Sequence, residues 1–139
     1  GGAGSDELTA TLGSATTVRP TVTEVELLDL DFTAAATLDL RNSSDITSVE
    51  LEYSAAPTIS NAAATLTSIT IDEATANTDN LSVDYAASSD SAVTITVAGA
   101  DTDADNDVAV SEERNCITVA SRLTRGTWTT WLFQLSQVR

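Results

Sequence analysis

Histidine, lysine and methionine are absent from this 139-residue chain, and cysteine occurs once. Without histidine there is no Ser-His-Asp triad and no Cys-His pair. Without lysine there is no Schiff-base nucleophile. Cys116 has no partner for an intrachain disulfide. It sits in Asn115-Cys-Ile-Thr-Val119 with no neighbouring base to activate it, so it reads as a small buried hydrophobe on a strand. No glycine-rich phosphate loop occurs. Carboxylate pairs abound, but the six aromatic residues are too few to line a sugar-cleaving cleft. An enzyme is therefore not expected. No run of 18 apolar residues occurs, so no membrane-spanning helix is expected. The absence of methionine even at position 1, with a Gly1-Gly-Ala-Gly-Ser5 start, predicts a processed, secreted chain at the cell surface.

Acidic residues are plentiful: 21 Asp and Glu against six Arg give a net charge of −15. Such a surface repels nucleic acid and anionic membranes and attracts cations or basic partners. Arginine in place of lysine also suits a protein bathed in high salt, where self-repulsion is screened.

Threonine and short aliphatic residues dominate the rest, and they alternate. Leu8, Ala10 and Leu12 form a first apolar series. Val22, Val25 and Leu27 then change phase to Leu28, Leu30 and Phe32, which predicts a bulge or a strand that switches sheets. Val49, Leu51 and Tyr53 alternate with Glu50 and Glu52. Ile69 and Ile71, then Leu81, Val83 and Tyr85, then Val93, Ile95 and Val97 continue the pattern, and Trp131, Phe133 and Leu135 close it. Polar turns at 42–45 and 77–80 and the breaker Pro57 separate these runs. The Ala-rich stretches 34–36 and 62–64 could each carry one helical turn. Eight or nine short strands with one wet face predict an all-β fold, an antiparallel β-sandwich of immunoglobulin-like or jelly-roll-like type. Residues 1–16 read as a flexible N-terminal arm and possible donor strand, and 17–139 as the sandwich domain.

The strongest local motif is Asp101-Thr-Asp103-Ala-Asp105-Asn-Asp107-Val-Ala-Val-Ser-Glu112. It resembles the calcium loop of EF-hand and dockerin-like proteins. That resemblance implies Ca²⁺ held by Asp101, Asp103, Asp105, Glu112 and the carbonyl of Asp107. Asn106 stands where the family places glycine, and strands replace the flanking helices. A solvated acidic turn is the rival reading. Two sequons, at Asn42 and Asn80, lie in or beside turns and are candidate glycosylation sites.

Charge is divided along the chain. Residues 114–139 hold Arg114, Arg122, Arg125 and Arg139, both tryptophans and no acid. Arg122, Arg125, Trp128 and Trp131 are of the types that dominate interfaces, and Leu8, Ala10 and Leu12 could add a strand to a neighbour's sheet. Burial of the same residues within one chain is the alternative. In composition and pattern the whole chain resembles the secreted β-sandwich subunits of prokaryotic, pilus-like surface filaments. The expected function is thus a structural subunit of an extracellular filament or surface layer. Its partners would be copies of itself, joined head to tail, or another surface subunit. A calcium-stabilised adhesion module and a virion decoration or tail protein are the alternatives.

Overall fold

Alternating apolar and polar residues make strands here, but the strands pair in parallel and wind into a β-solenoid. The computed structural model describes residues 1–74, 81–87, 92–97, 108–111 and 117–121. One six-stranded sheet contains β1 (Glu7–Leu12), β3 (Leu27–Phe32), β5 (Ser48–Tyr53), β7 (Ser68–Ala74), β9 (Val93–Val97) and β11 (Ile117–Ser121), in that order. A second sheet contains β2 (Thr17–Val18), β4 (Thr37–Asp39), β6 (Thr58–Ala62), β8 (Leu81–Tyr85) and β10 (Val108–Ser111), stacked in the same sequence. Each strand pairs in parallel with the strand two places on in the chain. The antiparallel β-sandwich predicted from the sequence is therefore corrected to a parallel two-sheet solenoid.

The corners explain why no hairpins form. Residues 13–16, 33–36 and 54–57 each carry the chain from the first sheet to the second. They also ladder to one another: Thr37 N donates to Thr16 O, Thr58 N to Ala36 O and Ser82 N to Pro57 O. Backbone groups at the corners are thereby paired like those in the strands. Of the Ala-rich stretches read as possible helical turns, 34–36 lies in a corner, and 62–64 spans the end of β6 and the start of a turn. The phase change at Leu27-Leu28 also has a simpler cause than a bulge: Val22 and Val25 lie in the connection before β3, and Leu28 is the first inward residue of the strand.

In-register stacking collects like residues into columns. Leu8, Leu28, Val49, Ile69 and Ile95 form one inward column, and Ala10, Leu30, Leu51 and Ile71 the next. The second sheet contributes Val18, Leu38, Ile59 and Val83. From β3 and β4 onward these side chains meet between the sheets in one continuous aliphatic core, with Ala10 packed against it and Leu12, Phe32 and Tyr53 on one flank, while Leu8 and Val18 of the first turn stay exposed. Outward columns are polar: Thr9, Asp29, Glu50 and Thr70 on the first sheet, Thr17, Thr37, Thr58 and Ser82 on the second. Adjacent members of a column lie one strand spacing apart, about 4.8 Å.

Candidate functional site

Every interior turn of a solenoid is covered on both sides by its neighbours, whereas a terminal turn is covered on one. Among the described residues, the N-terminal turn of this protein is left open. β1 pairs with β3 along all six residues and with no strand on its other edge among the described residues. Beneath that edge a cavity of about 370 Å³ opens between the two sheets, lined by Leu8, Ala10 and Leu12 of β1, by Val18, and by Leu28, Leu30 and Leu38 of the next turn. Leu8 and Val18 are 40% and 41% exposed, although the same columns are fully buried one turn further in. Ala10 makes the space: its column holds Leu30, Leu51 and Ile71 in the later turns.

A charged clamp ties this first turn to the two that follow. The Asp39 carboxylate is buried, with its side chain 3% exposed. Arg19 Nε donates to its Oδ2 at 2.9 Å, and Arg41 donates from Nε to Oδ1 at 3.0 Å and lies with Nη2 2.8 Å from Oδ2. Asn61 Nδ2 donates to Oδ1 at 2.9 Å. Three consecutive turns are thus tied to one carboxylate. The hydrogen bonds from Arg41, with further ones from Arg19 and Asn61, outweigh desolvation and hold Asp39 well below the usual carboxylate range. Asn61 reaches it from a left-handed backbone conformation (φ 55°), which asparagine tolerates better than most residues.

The charge of the N-terminal turn is otherwise acidic. Residues 1–26 contain Asp6, Glu7, Glu24 and Glu26 against Arg19 alone, and Arg19 is committed to Asp39. Asp6 N donates to Glu26 Oε2 at 2.8 Å, while Asp6 Oδ2 is buried without a hydrogen-bond partner.

Of the residues singled out from the sequence, Leu8, Ala10 and Leu12 are brought together at this mouth. Asn42 is exposed in the connection between β4 and β5, accessible as a sequon requires. Asn80, the calcium-loop residues Asp101, Asp103, Asp105, Asp107 and Glu112, and Arg122, Arg125, Trp128 and Trp131 lie outside the described residues. No group of three or more metal-ligating side chains occurs among the described residues, and no helix among them is long and apolar enough to cross a membrane. The Asp39 clamp was not anticipated. Its signal in the sequence is spacing, since Arg19, Asp39 and Asn61 recur at intervals of one turn.

The fold is a parallel β-solenoid whose N-terminal turn is uncovered among the described residues. Comparison with protein-family models, with curated proteins and with solved structures finds no match.

Proposed function

We propose that this chain is a structural subunit of an extracellular assembly, joined to further copies of itself head to tail. The open N-terminal turn carries this reading. An uncovered six-residue edge strand offers a row of unpaired backbone groups, a template that soluble proteins usually block with lysine, proline, a bulge or a covering element. β1 (Glu-Leu-Thr-Ala-Thr-Leu) has no lysine or proline, and its pairing with β3 runs without a register shift. Leu8 and Val18 stand exposed over an apolar hollow. The two ends of a parallel solenoid differ, so a contact that joins this end to the opposite end of another copy is heterologous and propagates into rings or filaments. Secretion is supported by composition alone: no lysine, no histidine and an exposed sequon asparagine.

Sedimentation velocity across a concentration series, with negative-stain electron microscopy of the same samples, tests the proposal. Ordered polymers that lengthen with concentration are expected. A chain that stays monomeric at every concentration and salt level excludes it.

A further inference from the structure

We infer that the occupant of the open mouth is the acid-free C-terminal stretch, residues 122–139, of a second copy, with Phe133 set against Ala10. This assignment rests on the self-assembly reading above and specifies its contact. Three independent features of the mouth agree with three features of that stretch.

The first is pattern. The inward positions of β1 are Leu8, Ala10 and Leu12. The stretch contains Trp131, Phe133 and Leu135 at the same period of two, so an added strand would present all three to one face. The second is volume. The hollow exists because Ala10 stands in a column of Leu and Ile, and large against small is how facing core positions fill without voids. An aromatic ring opposite Ala10 restores the missing volume. The third is charge. The N-terminal turn carries Asp6, Glu7, Glu24 and Glu26 against Arg19, which is paired with Asp39, and Asp6 Oδ2 is buried without a hydrogen-bond partner. Residues 122–139 carry Arg122, Arg125 and Arg139 and no acid. A guanidinium is the group best suited to satisfy such an oxygen.

Two substitutions in the full chain separate the halves of the contact. Ala10→Leu fills the hollow but leaves the C-terminal stretch intact. Phe133→Ala removes the ring but leaves the mouth open. Each alone is expected to raise the concentration needed for polymers about thirtyfold, the effect of a typical interface hot spot. Ala10→Leu is expected to do so with an unchanged or raised melting temperature, which rules out misfolding as the cause. An equimolar mixture of the two variants retains one intact donor and one intact acceptor, so light scattering should report a heterodimer and nothing longer. If the unsubstituted chain polymerises and both variants polymerise equally well, the assignment fails while the self-assembly reading stands. If the mixture stays monomeric, the assignment fails as well. If the unsubstituted chain never polymerises, both fall.

Discussion

Asp39 accepts hydrogen bonds from side chains of three successive turns, so its charge is a structural element. Its folded pKa lies below the ordinary 3.8, which makes the folded state the weaker proton binder. Stability from this group is therefore complete above the unfolded value and is lost as pH falls through the folded one. Asp39→Asn should lower the melting temperature at pH 7, because Arg19 and Arg41 then face each other uncompensated. The gap between variant and unsubstituted protein should narrow as a melting series descends below pH 3.8. Glu50 behaves in the opposite sense. Burial raises its pKa first, and the nearby Asp72, Asp29 and Glu7 raise it further. The folded state then binds the proton more strongly, so stability falls as pH rises through the raised value. Glu50→Gln should raise the melting temperature at neutral pH, and the gain should shrink but persist in 1 M salt, which screens the like charges and leaves the desolvation. Glu24 adopts φ 56° at the corner three residues before β3, and Asp45 adopts φ 70° at the equivalent corner before β5. Aspartate tolerates this left-handed region, whereas glutamate has no short side chain to support it. Glu24→Gly should therefore be neutral to stabilising, by up to about 1 kcal/mol in denaturant titration.

At the scale of the element, β7 shows what the alternation means energetically. Ile69 is wholly buried between Val49 and Ile95 of its column, while Thr70 faces outward. Ile69→Ala should cost about 2–5 kcal/mol in urea titration. Thr70→Ala should stay within about 0.5 kcal/mol, as a surface change does. This inward and outward assignment was legible in the sequence from period two for β1, β3, β5, β7, β8 and β9, and so was the polar turn that includes Asn42, whereas β2, β6 and β10 were not read as strands. The pairing direction was not. Clean alternation with one wet face is the usual mark of an antiparallel sheet, but a solenoid sheet is also solvated on one face. The distinguishing signal was recurrence at about one turn. Leu12-Gly-Ser-Ala-Thr-Thr-Val18, Phe32-Thr-Ala-Ala-Ala-Thr-Leu38 and Tyr53-Ser-Ala-Ala-Pro-Thr-Ile59 share one plan: a large inward residue, a small-residue corner, then Thr and an aliphatic residue. Two of the three corner runs are alanine-rich and one contains proline, so local propensity pointed to helical turns and strand ends in place of a repeat. The mouth was legible in part. Leu8, Ala10 and Leu12 stood out as an alternating run, but the hollow appears only when Ala10 is compared with the column that follows it.

Across the whole molecule, stacking turns the charge of the sequence into ladders. Asp29 and Glu50 stand next to each other in one outward column, and Asp31 and Glu52 in another. Carboxylates in each column are held one strand spacing apart, closer than an unfolded chain keeps them on average. Folding therefore concentrates like charge, and a net −15 gives that repulsion no relief from lysine. Raising NaCl from 0.1 M to 1 M shortens the screening length from about 10 Å to about 3 Å, less than the separation within a column. The melting temperature of the Ala10→Leu chain, kept below its raised polymerisation threshold, should rise steadily over that range. Assembly of the unsubstituted chain should respond with the opposite sign in its rate, because the arginine-bearing stretch is drawn to the acidic mouth by the same long-range field that salt removes. Polymer growth followed by light scattering should slow as salt rises, while polymers already formed persist, since their contact is an apolar one buried between two sheets. A melting temperature independent of salt would mean that the outward columns do not crowd their charges. Growth that quickens with salt would mean that apolar contact alone brings the ends together.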